Sequence, residues 1–194
     1  MTKKLQLNEI VDIISGMSFS SKDADPEGSI PVINASSIIA GSILSDFSKL
    51  HKITEFPMRS PAIVQNDDLL MVSRSVPGNP FKTSLIRTDI PIVATSSLYI
   101  FRIKDDSVSP EYLNYFFNSK EFQKEVIKNA RGSTIAHISK SNLEKIQIPL
   151  PEKEYRLSII ELNKNIQDQN QINQRKKELL EEIVQATFTN LYHQ

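Results

Sequence analysis

Residues 130 to 151 read ARGSTIAHISKSNLEKIQIPLP, and they gather several groups able to do chemistry. Gly132 is followed by the hydroxyls of Ser133 and Thr134. His137 and Lys140 come next, and then alternating apolar residues run into Pro149-Leu150-Pro151. Three readings fit this pattern. The stretch is a catalytic loop, a nucleic-acid contact, or the last turn and strand of a domain. A catalytic loop needs a nucleophile beside a base. No glycine pattern of the nucleophile-elbow kind surrounds any serine here, and His137 has no evident sequence partner. A glycine with two hydroxyls suits a turn or a phosphate contact, because a turn presents backbone amides and hydroxyls to an anion.

Other chemistries are narrowed by counting. The chain has 194 residues, no cysteine, and three histidines, at 51, 137 and 193. Disulfides and thiolate chemistry are excluded, and widely spaced histidines do not make a zinc site. There is no GxGxxG and no P-loop, and no glycine-rich cofactor loop precedes Asn79-Pro80-Phe81. No catalytic residue, metal ligand or cofactor of the chain's own is expected. No apolar run of about 18 residues is present, so no membrane span is expected. The first residues, MTKKLQLNEIVDIISG, lack the long apolar core of a signal peptide. The expected location is the cytoplasm.

Lys and Arg total 23 and Asp and Glu total 23, so the net charge is zero. That argues against a nonspecific polycation, but a specific binder needs only a local basic face. Residues 71 to 104 carry Arg74, Lys82, Arg87, Arg102 and Lys104 against one acid, Asp89. The loops add Lys22, Lys52, Arg59, Asn79, Arg131, His137 and Lys140, with Ser133 and Thr134 beside them. Arg and Lys pair with guanine edges or phosphates, and Asn pairs with adenine. Each taken singly is as readily a solvated polar residue of a strand face or loop; as a DNA-binding set the candidates are Lys22, Lys52, Arg59, Arg74, Asn79, Lys82, Arg131, Ser133, Thr134, His137 and Lys140.

The elements that would carry them fall into two regions. Up to Pro151 the chain is punctuated by Gly and Pro. Leu7, Ile10, Val11 and Ile14 have helical spacing and predict a short helix over Leu5 to Ser15 that stops at Gly16. Strands are predicted at Ile30 to Asn34, Asp68 to Ser73, Thr83 to Arg87 and Ile92 to Ile103, with polar loops at 15 to 29, 34 to 61 and 73 to 82. Ser109, Pro110 and Glu111 form a helix start. Asn118-Ser119 divides that segment into two short helices, and Gly132 ends the second. Ile146 and Ile148 predict a final strand.

From Glu152 to about Leu191 there is no Gly or Pro, and one long helix is predicted. About 40 residues at 1.5 Å each span roughly 60 Å, more than its own small domain covers. In heptads, one seam reads Ile159, Ile166, Asn173, Leu180 and Thr187; the paired set reads Leu162, Gln169, Lys176, Ile183 and Asn190. Ile172, Leu179 and Ala186 widen the apolar face. The seam has apolar ends and a polar middle, which costs stability but fixes register and partner number. The expected fold is therefore α+β. A loop-rich globular domain with short strands and small helices spans residues 1–151, and a long C-terminal coiled-coil helix spans residues 152–194.

This order of segments resembles half of the specificity (S) subunit of Type I restriction–modification enzymes. LNEIVDIISG (7–16) is similar to the family's opening, and IPVINASSI (30–38) to its "IP-f-I-ttsdI" strand. NDDLLMVSRSVPGN (66–79) is similar to "GDILfsr…G", with Asn66 where Gly is usual. SPEYLNYFFNS (109–119) and GSTIAHISKSNLEKIQIPLP (132–151) match two further segments, the last being the most specific. The family continues past the final Pro with a Glu-Gln pair, whereas Glu154-Tyr155-Arg156 stand here.

The resemblance implies a target recognition domain over residues 1–151 that reads one half of a bipartite target in double-stranded DNA. It implies docking to methyltransferase subunits and, through them, to a restriction subunit, with S-adenosylmethionine and magnesium supplied by those partners. It also implies a homodimer through the C-terminal helix, its contacts being Ile159, Leu162, Ile166, Gln169, Asn173, Lys176, Leu180 and Ile183. The alternative is a protein-interaction module, such as an anti-restriction decoy that engages methyltransferase subunits without reading DNA. A third reading, a small hydrolase, rests on His137 alone.

Overall fold

A computed structural model describes residues 3–19, 25, 27–55, 60–105 and 107–192. The chain divides into two units, Met1–Glu152 and Lys153–Gln194.

The first unit is built on short strands. Its central sheet contains β2 (Val11–Ser15), β4 (Ile43–Leu44), β7 (Leu69–Val72), β9 (Thr83–Ile86) and β11 (Leu98–Ile103), in the order β2-β11-β7-β9-β4. All pairs are antiparallel except β4 with β9. Every residue of β7 and β9 is buried: Leu-Leu-Met-Val is a continuous apolar run, and Thr83 and Ser84 are buried polar residues of β9. A second sheet contains β3 (Ile30–Ile33), β5 (Lys52–Ile53), β6 (Ile63–Val64) and β10 (Ile92–Ala94), in the order β5-β3-β10-β6. Two small ribbons complete the unit. One pairs β1 (Lys3–Gln6) with β13 (Gln147–Leu150), and the other pairs β8 (Arg74–Ser75) with β12 (Ala136–His137).

Four short helices accompany the sheets: α1 (Leu7–Ile10), α2 (Pro110–Phe117), α3 (Lys120–Asn129) and α4 (Lys140–Leu143). Their starts follow from capping chemistry. The hydroxyls of Ser109, Ser119 and Ser139 accept from the backbone N–H of Tyr112, Phe122 and Asn142, and Pro110 occupies the first turn of α2. α2 packs against β9. Phe101, Phe117 and Phe122 are fully buried there, with ring centroids 5.1 Å apart for Phe101–Phe117 and 4.6 Å for Phe117–Phe122.

Four sequence expectations need correction. Helix covers only Leu7–Ile10; Lys3–Gln6 and Val11–Ser15 are strands. Leu7 and Ile10 satisfy a helical period, but Val11 and Ile13 are buried in alternation, and pairing with β11 decides in favour of strand. Gly16 is therefore no helix stop. The backbone of Thr95 passes so close that a Cβ there would lie 2.1 Å from its carbonyl oxygen. The run Ile92 to Ile103 is broken between β10 and β11, which belong to different sheets. Finally, α3 ends at Asn129, before Gly132.

The glycine-like position of the 66–79 segment also shifts by one. Asp67, not Asn66, has φ of +71°, and that left-handed conformation is the one that favours glycine. Asp67 pairs with Arg87, which also pairs with Glu111.

The second unit is α5 (Lys153–Tyr192), 40 residues with none buried. Large apolar side chains stand exposed along it. Leu162 is 63% exposed and Ile183 61%, and Ile166, Ile172, Leu179, Leu180 and Val184 are exposed too. Among the described residues, no helix is long and apolar enough to cross a membrane.

Candidate nucleic-acid interface

The ribbon of β8 and β12 brings together residues distant in sequence. His137 stands directly opposite Arg74 in the antiparallel register. On its other side His137 bridges Arg131: each backbone N–H donates to the other's carbonyl at 2.8 Å. Directly opposite residues of antiparallel strands project from the same face, about 4.5–5.5 Å apart. Arg131, His137 and Arg74 therefore form a row on one face, and all three are exposed.

The turn from Arg131 to His137 depends on Gly132. Its φ is +112°, and a Cβ would lie 2.2 Å from the carbonyl oxygen of Ile135. Ser133 and Thr134 are exposed in this turn, at one end of the row. At the other end the chain leaves β8 into the turn at 76–79. There the Asn79 N–H donates to the Val76 carbonyl at 3.0 Å, and the Ser75 hydroxyl donates to the Asn79 carbonyl at 3.0 Å. Asn79 and Lys82 are exposed.

Buried side chains anchor this loop cluster to the core. Gln123 clamps the backbone of Phe81: its Oε1 accepts from Phe81 N–H at 2.8 Å, and its Nε2 donates to the Phe81 carbonyl at 3.1 Å. The Tyr99 hydroxyl donates to the Ile138 carbonyl at 3.0 Å, fixing the residue after His137. Burial pushes the Tyr99 hydroxyl above its ordinary pKa, against the opposing effect of nearby Arg74, so it stays a donor at neutral pH. Ser73 donates through both its N–H and its hydroxyl to the Ser97 carbonyl, at 2.9 and 3.0 Å. Sequence reading missed these positioning residues. The one available signal was Gln123, a polar residue beside the apolar stripe of α3.

Electrostatics divide the basic stretch of residues 71–104 into two groups. Arg87 pairs with Asp67 and Glu111, Arg102 with Asp68, and Lys104 with Asp12 at 3.4 Å. Those three are structural. Arg74, Lys82 and Arg131 have no ion pair among the described residues. A free arginine on a loop is available for a phosphate or a base edge.

The remaining expected contacts are dispersed. Lys140 opens α4 and stands 3.9 Å from Glu144. Lys52 lies on β5 and lines a cleft of about 550 Å³ with Ser48, Asn66, Arg87 and Thr88, a lining that includes no residue of the ribbon. Lys22 and Arg59 lie outside the described residues. Among the described residues, no group of three His, Asp or Glu is placed to hold a metal ion.

Comparison with known proteins decides the family. The model of the Type I restriction modification DNA specificity domain matches residues 2–182. The chain belongs to that family. It is 25% identical over 181 residues to the Type I restriction enzyme MjaVIII specificity subunit of Methanocaldococcus jannaschii, covering 91% of this chain and 42% of that one. Its fold is similar to the HsdS subunit from Thermoanaerobacter tengcongensis, with a TM-score of 0.61 at 20% identity, covering 87% of this chain and 38% of that one. The Type I restriction-modification S subunit from M. genitalium gives a TM-score of 0.61 at 16% identity, covering 87% of this chain and 39% of the subunit. The specificity domain described here thus spans about two fifths of the length of these relatives. The α+β architecture with a long C-terminal helix is the one these S subunits share.

Proposed function

We propose that the first unit reads one half of a bipartite sequence in double-stranded DNA, on behalf of methyltransferase subunits that perform the chemistry. The observation that carries this reading is the exposed row Arg131–His137–Arg74, with Lys82 nearby. Its arginines are free of ion pairs among the described residues, and the Tyr99 hydroxyl fastens Ile138, the residue that follows the ribbon. The phosphate backbone supplies salt-dependent affinity, and base edges in the major groove supply sequence. Asn79, Ser133, Thr134 and Lys140 border the row in sequence and extend the contact surface. Methyl transfer, and any cleavage, then belong to partner subunits that bring S-adenosylmethionine and magnesium. The test is selection of duplexes from a random pool by the chain together with its methyltransferase partner. Enrichment of a defined motif is expected.

The second unit is proposed to pair two copies. Exposed apolar side chains run along α5, and such an apolar stripe marks a surface that a partner covers. Antiparallel pairing would bring the polar layers Gln169, Asn173 and Lys176 together, fixing register. A two-fold dimer would present two recognition units to a palindromic split site in the cytoplasm. Replacing Leu180 and Ile183 with Asp is expected to turn the dimer into a monomer at micromolar concentration. Sedimentation velocity reads this directly, and an unchanged sedimentation coefficient would count against the seam.

A further inference from the structure

Two exposed apolar residues stand immediately beside the β8–β12 ribbon in the chain. Val76 is 48% exposed and Ile135 is 55% exposed. The register pairs His137 with Arg74 and Ala136 with Ser75. Val76 follows Ser75 and Ile135 precedes Ala136, so both leave the ribbon next to its Ser75–Ala136 pair. Two exposed β-branched apolar side chains thus flank the short ribbon that carries the Arg131–His137–Arg74 row.

We infer that Val76 and Ile135 form an apolar contact for the 5-methyl group of a thymine in the DNA half-site, a specificity-determining role within the same surface. The inference rests on the DNA-reading assignment above. A two-stranded ribbon fits the major groove, the only groove in which the thymine methyl is displayed. The occupant is set by charge: Arg74, His137 and Arg131 flank the pair, which suits a polyanion and not an apolar protein surface. Arginines read guanine edges or phosphates, so an apolar pair adds discrimination of thymine that the row does not supply.

The test begins with a duplex selected from a random pool by the full chain with its methyltransferase partner. Each thymine of the selected motif is replaced in turn by deoxyuridine, which removes only the methyl group. At one or two positions the wild-type complex is expected to lose about fourfold in affinity, the transfer free energy of one methyl-sized group. The slope of affinity against salt should stay unchanged. The V76S/I135S variant, altered only at exposed positions, should show that loss already on the thymine duplex and no further loss on deoxyuridine. If deoxyuridine is neutral at every position while the motif and the salt slope persist, the thymine contact is overturned and the DNA reading stands. If no motif is enriched at all, the DNA reading fails and takes this contact with it.

Discussion

Replacing Arg74 and Arg131 together with Ala is expected to flatten the salt dependence of DNA binding and weaken it by on the order of tenfold per arginine near physiological salt. Each phosphate contact contributes about −0.9 to the slope of log affinity against log salt, so losing two should reduce the slope by about two. Stability should hold within about 0.5 kcal/mol, because both side chains are exposed and free of ion pairs among the described residues. That combination separates the row from the other arginines. Arg87 and Arg102 lie in the same basic stretch, but their substitution should be felt in folding, because acids already engage them. A slope that stays put in the Arg74/Arg131 variant would remove the row from the interface.

The larger effect on stability is expected at Arg102. Asp68 is 1% exposed. Its Oδ1 accepts from Arg102 Nε at 3.1 Å, and its Oδ2 accepts from Arg102 Nη2 at 2.7 Å and from Gln65 N–H at 2.7 Å. Arg102 Nη2 also donates to the Ile63 carbonyl at 2.8 Å, tying β11 to β6 of the second sheet. Arg102→Ala leaves a buried carboxylate without its partner, which costs about 3–5 kcal/mol. A melting temperature lower by on the order of 10 °C follows for a domain of this size.

The pH dependence of that deficit is specific. Burial raises the Asp68 pKa above its ordinary value, while the hydrogen bonds and charge of Arg102 and the Gln65 N–H oppose the rise. A carboxyl raised in the folded state holds its proton more tightly there than in the unfolded chain. Between the ordinary value and the raised one, stability therefore falls as pH rises. Removing Arg102 takes away an opposing influence, so the raised value climbs and the window extends upward. The Arg102→Ala deficit should be larger at about pH 8 than at about pH 5, where protonation relieves the stranded charge. Equal deficits at both pH values would mean that Asp68 is not the group left unpaired. Asp68→Leu with Arg102→Met should recover most of the loss, because apolar replacement of both partners is often neutral.

The sequence showed some of these features and hid others for physical reasons. β7 was legible as a short continuous apolar run of strand length, and β9 as a short Thr, Leu and Ile segment between polar loops. α2 and α3 were legible because Ser109 and Ser119 are capping residues at the right spacing. The first strand was hidden, because Lys3–Gln6 has no apolar run and is paired only through tertiary contact with Gln147–Leu150. The interface was half legible. Arg74, Arg131 and His137 were all named as loop contacts, but their union in one row depends on strand register across distant segments. Local patterns do not encode that register. Nor did the residues themselves reveal that Arg87, Arg102 and Lys104 are engaged internally and Arg74 is not.

The central claim is that this chain selects a DNA sequence. The most direct measurement is enrichment from a random duplex pool by the full chain with its methyltransferase partner, across a series of salt concentrations. The account predicts one recovered motif that persists as salt rises and an affinity that falls steeply with salt. A pool that stays random at every salt concentration, with the partner bound, would contradict it.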